Sequence, residues 1–301
     1  MWLKKYISAQ DGKTAIITGA NTGIGYETAL ALYEAGANVI IASRDAEKAY
    51  QAIEKIKEAP GKGQLDYINL DLSSLKAVKQ FADIVLSKYG RLDLLINNAG
   101  IMVPPEGKTN EGFELQFGVN FLGHFALTGY LYPLLKKTPG ARIVTVSSGA
   151  QHYVQNVDID NLRIEKSYDA NREYAISKFA QMQFIIELQR RLEATGDQLI
   201  SIGAHPGVSD TGLSKYMSRE AYDHALKQFG ELMPASQGAL SSLYAATSPE
   251  VTGGGYYGPD GPNELQGYPA PAKINESAKD PVAAAKLWRY AEQATGVRFP
   301  Q

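Results

Sequence analysis

The chain has 301 residues, 44% of them hydrophobic, enough to bury a substantial core. Lys and Arg number 30 against 32 Asp and Glu, a net charge of −2, and no basic block marks a nucleic-acid or anionic-membrane partner. With Cys at 0, a disulfide framework, a thiolate metal site and a cysteine nucleophile are excluded, and the composition fits a reducing compartment. The N-terminus, Met1-Trp2-Leu3-Lys4-Lys5-Tyr6, has no apolar stretch of signal-peptide length behind it. The longest apolar runs, such as Ala15-Ile16-Ile17 and Val39–Ala42, are strand-sized. The expectation is a cytoplasmic protein with no membrane span.

In chain order, the first half alternates short β-branched runs with helical patterns. Thr14–Thr18, Asn38–Ala42, Leu65–Asn69, Leu92–Asn97 and Arg142–Val146 read as strands with apolar residues on both faces, as a doubly covered sheet requires. Between them, Tyr26–Ala35, Ala46–Glu58, Leu75–Lys88 and a segment starting near Glu111 carry helical spacing. Beyond Val146 the pattern gives a long helix over Tyr174–Ala194 and a sixth strand over Leu199–Ala204. Segments 149–171 and 208–235 read as loops and short helices over one sheet edge. The Gly- and Pro-rich stretch 253–281 reads as an ordered arm, and Asp280–Thr295 as a closing helix. The predicted fold is α/β: a three-layer, doubly wound parallel sheet of Rossmann type in a single domain, 1–301. Within it, 14–150 forms mainly the cofactor-binding half. Residues 151–301 supply the catalytic helix, the substrate loops and the C-terminal arm.

Thr18-Gly19-Ala20-Asn21-Thr22-Gly23-Ile24-Gly25 falls between the first strand and the first helix. A dinucleotide pyrophosphate needs a sharp bend, unobstructed backbone and a helix N-terminus there. Gly19, Gly23 and Gly25 can supply these, with Asn21, Thr22 and Ile24 completing the turn. A tight turn without a ligand is the plain alternative. The second strand ends in Ser43-Arg44-Asp45. Where an acid would bind ribose hydroxyls, Ser43 and Arg44 instead suit a 2′-phosphate, so NADP(H) is preferred over NAD(H). Asp45 reads either as that acid or as the cap of the helix starting at Ala46. After the third strand, Asp71 and Leu72 can receive an adenine ring, or simply lead into the next helix. Asn98, Ala99 and Gly100, after the fourth strand, suit a cofactor crevice, although such residues also make ordinary turns.

Tyr174 and Lys178 stand at i and i+4, on one helix face. A nearby ammonium favours the phenolate and brings a tyrosine, ordinarily near pKa ~10, towards the range for acid–base work. Alone, the pair reads equally as a surface contact. Ser148, just past the fifth strand, can hold a substrate oxygen beside Tyr174. The amide of Asn120, on the preceding helix, can bind water and backbone carbonyl and relay protons to Lys178.

Taken in order, Thr18-Gly19-x3-Gly23-Ile24-Gly25, Asp71, Asn97-Asn98-Ala99-Gly100, Asn120, Ser148, Tyr174-x3-Lys178 and His205-Pro206-Gly207 resemble the short-chain dehydrogenase/reductase superfamily. The resemblance implies a Rossmann-type domain with Asn120, Ser148, Tyr174 and Lys178 as a catalytic tetrad. It also implies that Tyr174 is the general acid in reduction, that Lys178 bonds the nicotinamide ribose, and that Pro206, Gly207 and Thr211 border the nicotinamide amide. Ala20-Asn21-Thr22-Gly23, Ala42-Ser43-Arg44-Asp45 and a long interval from Ser148 to Tyr174 resemble the retinol dehydrogenase and WW-domain oxidoreductase-like branch. The tail, with Tyr257-Gly258-Pro259-Asp260-Gly261 and Thr295-Gly296-Val297-Arg298-Phe299, is similar to bacterial members of that branch. The implied activity is hydride transfer between a nicotinamide and a small-molecule carbonyl or alcohol. Family members often pair through the helices carrying Asn120 and Tyr174, so a homo-oligomer is open. The extra residues before Tyr174 are positioned to cover that face.

The competing reading is a dinucleotide-binding sensor without turnover, which needs the glycine turn but neither Ser148 nor Tyr174. His124, His152, His205 and His224 are scattered without metal-ligand spacing, so no metal site is expected. His205 reads as structural and His152 as able to face substrate. Ser147-Ser148 lacks the Gly-x-Ser-x-Gly elbow of a hydrolase. Tyr153, Tyr168, Tyr216, Tyr222 and Phe229 fall where an apolar substrate pocket would be roofed.

Overall fold

In the computed structural model, which describes residues 1–210 and 232–300, one eight-stranded sheet runs in the order β3-β2-β1-β4-β5-β6-β7-β8. Strands β1 (Thr14–Thr18), β2 (Asn38–Ser43), β3 (Leu65–Asn69), β4 (Leu94–Asn97), β5 (Arg142–Val146) and β6 (Ile200–Ala204) are all parallel. Helices α1 (Gly23–Glu34), α2 (Ala46–Lys57) and α3 (Leu75–Lys88) make the crossovers of the first half. Every residue of β1 and β4 is buried, because helices cover both faces of the sheet. The strand order reverses direction between β1 and β4, and the carboxyl ends of those two strands open a crevice where ligands of such sheets bind.

Three helices start where the periodicity did not place them, and the first, α1, begins at Gly23, three residues ahead of Tyr26. The helical pattern from Glu111 becomes regular only at Phe117, because the residues before it are used in a turn. Glu111 Oε1 accepts from Leu75 N at 2.9 Å, Gly112 has φ 82°, and Glu114 Oε2 accepts from Phe117 N at 2.6 Å. The segment then runs as a π-helical turn over Phe117–Leu122 before α4 (Gly123–Lys136). Helix α5 (Ala170–Thr195) begins a turn earlier than Tyr174, since Asp169 caps it by accepting from Arg172 N at 2.7 Å. It ends at Gly196, whose left-handed φ of 72° is a common helix stop.

Among the described residues after β6, one helix and two strands lie where the sequence pattern assigned none. Helix α6 (Ala235–Thr247) is built of small residues and is buried from Gly238 to Ala246, with little amphipathic contrast to reveal it. Strand β7 (Tyr256–Pro259) extends the sheet in parallel and β8 (Pro269–Pro271) closes it antiparallel, so the Gly/Pro-rich arm is the ordered edge of the same sheet.

Helix α7 (Pro281–Thr295) and the tail behind it cover the outer faces of α4 and α5. Trp288, 2% exposed, stacks on Phe184 (5.7 Å between centroids) and meets Phe125 and Phe299 edge-on or tilted at 4.9 and 5.0 Å. Gly129 lets this happen: a Cβ there would sit 2.4 Å from Val297 Cγ1 and 2.5 Å from Phe299 Cδ1. The extra residues before Tyr174 contribute Val154, Val157 and Ile159 to the same cluster. Trp288→Ala is therefore expected to cost about 3–5 kcal/mol, from lost burial and the cavity left behind. A urea melt with an unchanged midpoint would show that the arm is not part of the cooperative core.

Candidate active site

The glycine turn takes the form a close-approaching anion requires. Gly19 and Gly23 adopt φ of 69° and 57°, a region L side chains rarely enter. A Cβ on Gly25 would lie 2.5 Å from Gly19 O and 2.6 Å from Asn98 Nδ2, so the turn is closed to any side chain. Helix α1 starts here with Thr22 as its N-cap residue, no side-chain cap and no acid in the first turn. Thr22 therefore leaves the positive dipole end of α1 without a side-chain cap, as an anion site requires. The residues present fit a dinucleotide pyrophosphate.

The crevice floor is tied across β1 and β4. Thr18 Oγ1 accepts from both Asn98 N and Ala99 N at 2.9 Å, and Asn98 Nδ2 donates to Thr18 O at 2.8 Å. Gly100 faces Asn120 and Lys178: a Cβ there would lie 3.4 Å from Asn120 Oδ1 and 3.7 Å from Lys178 Nζ. At the end of β2, Ser43 is buried and Arg44 exposed. Asp45 is the cap of α2: its carboxylate accepts from Lys48 N at 3.1 Å and pairs with Lys48 Nζ at 2.9 Å. After β3, Asp71 Oδ1 accepts from Ser73 N and Ser73 Oγ at 2.9 and 2.6 Å, while Ser74 caps α3. Leu72 is 7% exposed and packs beside Gly123.

Helix α5 carries Tyr174 and Lys178 to the carboxyl end of β5, where Ser148 begins a short 3₁₀ turn (Gly149–Tyr153). Lys178 Nζ lies 5.7 Å from the centre of the Tyr174 ring. The expectation that the ammonium lowers the phenol's pKa is corrected here. Burial pushes Tyr174 up to about 12, with a hydrogen bond from Ser148 opposing it. Burial also pulls Lys178 down to about 7. The ammonium spends two of its protons elsewhere, donating to Val146 O and Gln181 Oε1, both at 3.0 Å.

Asn120 sits in the π-helical turn, a distortion that often marks functional positions. Its side chain is fully used: Oδ1 accepts from Ile101 N at 2.9 Å, and Nδ2 donates to Ile101 O and Ser177 Oγ at 3.0 Å. Its main-chain oxygen accepts from Gln181 Nε2 at 2.7 Å and meets His124 Nδ1 at 2.9 Å. A carbonyl can only accept, so His124 carries its proton on Nδ1 and Nε2 accepts from Thr18 Oγ1, 2.9 Å away. Burial then holds this imidazole neutral, at about 4. Sequence reasoning missed His124, Gln181 and Ser147, whose hydroxyl donates to Lys178 O at 2.9 Å. A Gln three residues past Lys178 was the visible signal.

Pro206 and Gly207 follow β6 and are braced by the C-terminal arm. Val208 N donates to Leu265 O at 2.8 Å, and His205 Nε2 meets Glu264 Oε2 at 3.1 Å while its ring stacks on Tyr256. His205 is thus structural. Thr211, Tyr216, Tyr222, His224 and Phe229 lie outside the described residues. Tyr153 is 80% exposed, and Tyr168 donates to Pro104 O at 2.8 Å. His152 opens onto a groove of about 590 Å³ lined also by Lys273, Ile274, Glu276 and Lys279. Among the described residues there is no cluster of three His, Asp or Glu side chains suited to a metal ion, and no helix is long and apolar enough to cross a membrane.

A Rossmann-type sheet with a glycine cradle at its switch point and a Ser/Tyr/Lys set beside it defines a nicotinamide-type oxidoreductase scaffold. Residues 13–221 match the model of the short chain dehydrogenase family. The chain is 40% identical over 263 residues to human polyprenol dehydrogenase, covering 85% of this chain and 79% of that one. It is 38% identical to human retinol dehydrogenase 14, covering 95% and 87%. An uncharacterised protein from Mycobacterium paratuberculosis superposes with a TM-score of 0.83 at 38% identity, covering 100% and 99%. The Pseudomonas aeruginosa RhlG/NADP active-site complex superposes at 0.65 with 26% identity, covering 82% and 94%. The chain belongs to the short chain dehydrogenase family and is an oxidoreductase acting on CH–OH or C=O groups.

Proposed function

We propose that the protein is an NADP(H)-dependent reductase/dehydrogenase for an apolar-bodied carbonyl or alcohol, with Tyr174 as general acid and base. The observation that carries this reading is the meeting of Ser148, Tyr174 and Lys178 at the β5 end, next to a glycine cradle that no Cβ could enter. When bound, the nicotinamide supplies or accepts the hydride. Tyr174, held protonated by burial, gives its proton to the substrate oxygen in reduction and takes it back in oxidation. Ser148 donates a second hydrogen bond to that oxygen as charge develops on it. Lys178 places a positive charge one helical turn from the phenol and holds the nicotinamide ribose. Gly19, Asn21, Thr22, Gly23, Ile24 and Gly25 hold the pyrophosphate; Asp71, Leu72, Asn98, Ala99 and Gly100 line the adenine and ribose side. Pro206 and Gly207 would border the nicotinamide amide.

The preference for NADP(H) rests on Arg44. Its guanidinium is exposed at the strand end, and the neighbouring Asp45 is committed to capping α2. A relative's structure in complex with NADP supports the same choice. Arg44→Asp is expected to weaken NADPH binding about tenfold or more while leaving NADH binding within a few-fold, as loss of a charge-assisted phosphate contact implies. Fluorescence titration with both cofactors checks this; equal loss for both would point to damage of the turn. Relatives named for retinol and polyprenol support an alcohol or carbonyl with an extended apolar body. The absence of cysteine supports a cytoplasmic setting. A panel of aldehydes, ketones and alcohols with NADPH and NADP⁺ tests the whole reading. Tight cofactor binding with no turnover on any of them would favour a sensor.

A further inference from the structure

We propose that Gln181 is a positioning residue for Lys178, its amide bridging the ammonium to the main-chain carbonyl of Asn120 and so fixing where the remaining proton of Lys178 points. The inference rests on the functional reading above. Gln181 is 1% exposed and lies one turn beyond Lys178 on α5. Its Oε1 accepts from Lys178 Nζ at 3.0 Å and its Nε2 donates to Asn120 O at 2.7 Å, so both ends of one rigid amide are used. An ammonium has three N–H donors. Val146 O takes one at 3.0 Å and Gln181 another, leaving a single donor for the side that faces Gly100 and the crevice.

The bridge does not end at Asn120. The same carbonyl accepts from His124 Nδ1 at 2.9 Å, and His124 Nε2 accepts from Thr18 Oγ1 at 2.9 Å. Thr18 Oγ1 in turn accepts from Asn98 N and Ala99 N. Protein atoms alone thus link the catalytic lysine to the two strand ends that form the cofactor crevice. The bridging group is a covalently held side chain, so it cannot exchange away. Such fully paired buried networks hold one geometry, because breaking any member leaves a desolvated polar group. The titratable groups facing Lys178 are Tyr174 on its own helix, His124 on α4, and Tyr256 on β7 beyond Tyr174.

Two substitutions move the lysine in opposite directions. Gln181→Leu removes the acceptor at similar volume, which disfavours the ammonium. Gln181→Glu places a carboxylate beside it, which favours the ammonium. With Gln181→Leu, the pH limb for loss of kcat at rising pH is expected to move down by about one unit, as loss of a hydrogen bond to a buried charge implies. With Gln181→Glu the limb moves up. The pH dependence of NADPH affinity, read by fluorescence without turnover, moves the same way in each variant. In Gln181→Leu kcat falls about tenfold while the carbonyl KM changes less than about threefold. Limbs that stay put in both variants, each shown folded by a cooperative melt, would overturn the proposal and leave Gln181 a filler of the core. Should Gln181→Leu fail to fold, the rise with Gln181→Glu decides alone. If wild-type protein binds NADPH without turning over any substrate, the functional reading falls, and the binding limb still decides the role of Gln181.

Discussion

Tyr174→Phe is expected to lower kcat for carbonyl reduction by about 10³-fold, within the ~10²–10⁴ that general acid catalysis contributes. The ring stays: Tyr174 is 8% exposed, and phenylalanine fills the same space. Only the hydroxyl is lost, and with it the proton that burial holds on the phenol up to about 12. Ser148 still offers one hydrogen bond to the substrate oxygen, so binding survives better than turnover. NADPH affinity is expected to stay within a few-fold, because the glycine cradle and Lys178 are untouched. Consumption of NADPH with a verified substrate, beside a fluorescence titration, separates these effects. A variant retaining more than about a tenth of wild-type kcat would remove Tyr174 from the proton-transfer step.

The protonation states also set a direction with pH. Before substrate binds, burial makes the phenol hold its proton, the form that reduction consumes. Alcohol oxidation needs the phenolate, so its rate is expected to climb as pH rises through the neutral range. Lys178, brought to about 7 by burial, loses its charge above that point unless bound partners restore it. Parallel pH profiles in the two directions check the sign. Oxidation that is flat from acid to alkaline pH would mean that Tyr174 is not the titrating base.

The first half of the fold was legible because β1, β2 and β4 are buried almost throughout and α2 and α3 each show an apolar stripe. Asp45 caps α2, one of the two readings it allowed, whereas the cap at Asp169 that starts α5 a turn before Tyr174 was not read from the sequence. The second half obscured itself. Helix α6 is rich in small residues and buried from Gly238 to Ala246, so it has little periodic contrast, and β7 and β8 hide in a Gly/Pro-rich stretch. Within the site, the structure places Ser148, Tyr174 and Lys178 at the carboxyl end of β5 and Asn120 in the π-helical turn beside Gly100. The charge balance did not follow from spacing. Proximity of Lys178 to Tyr174 suggested a lowered phenol, but desolvation acts on both groups and the ammonium is turned towards Val146 and Gln181. Which hydrogen bonds a side chain spends on the backbone is a tertiary fact.

Gly25→Val is expected to abolish cofactor binding, with at least a 100-fold loss in NADPH affinity, while leaving the Ser148–Tyr174–Lys178 set in place. The Cβ alone would meet Gly19 O at 2.5 Å and Asn98 Nδ2 at 2.6 Å. Neither can yield cheaply. Gly19 O is backbone in a left-handed turn with φ of 69°, and Asn98 Nδ2 is held by Thr18 O at 2.8 Å. Relief therefore requires α1 to move away from β4, which takes its leading N–H groups off the pyrophosphate position. Overpacking of this kind costs about 1–3 kcal/mol of stability, within what a domain of this size normally survives. The variant should thus melt cooperatively at a lower temperature and still fail to bind NADPH in a titration. This is the mirror of Tyr174→Phe, in which binding persists and chemistry is lost. A Gly25→Val protein that binds NADPH normally would show that the dinucleotide does not lie across this turn, and the placement of every cofactor-contacting residue would fall with it.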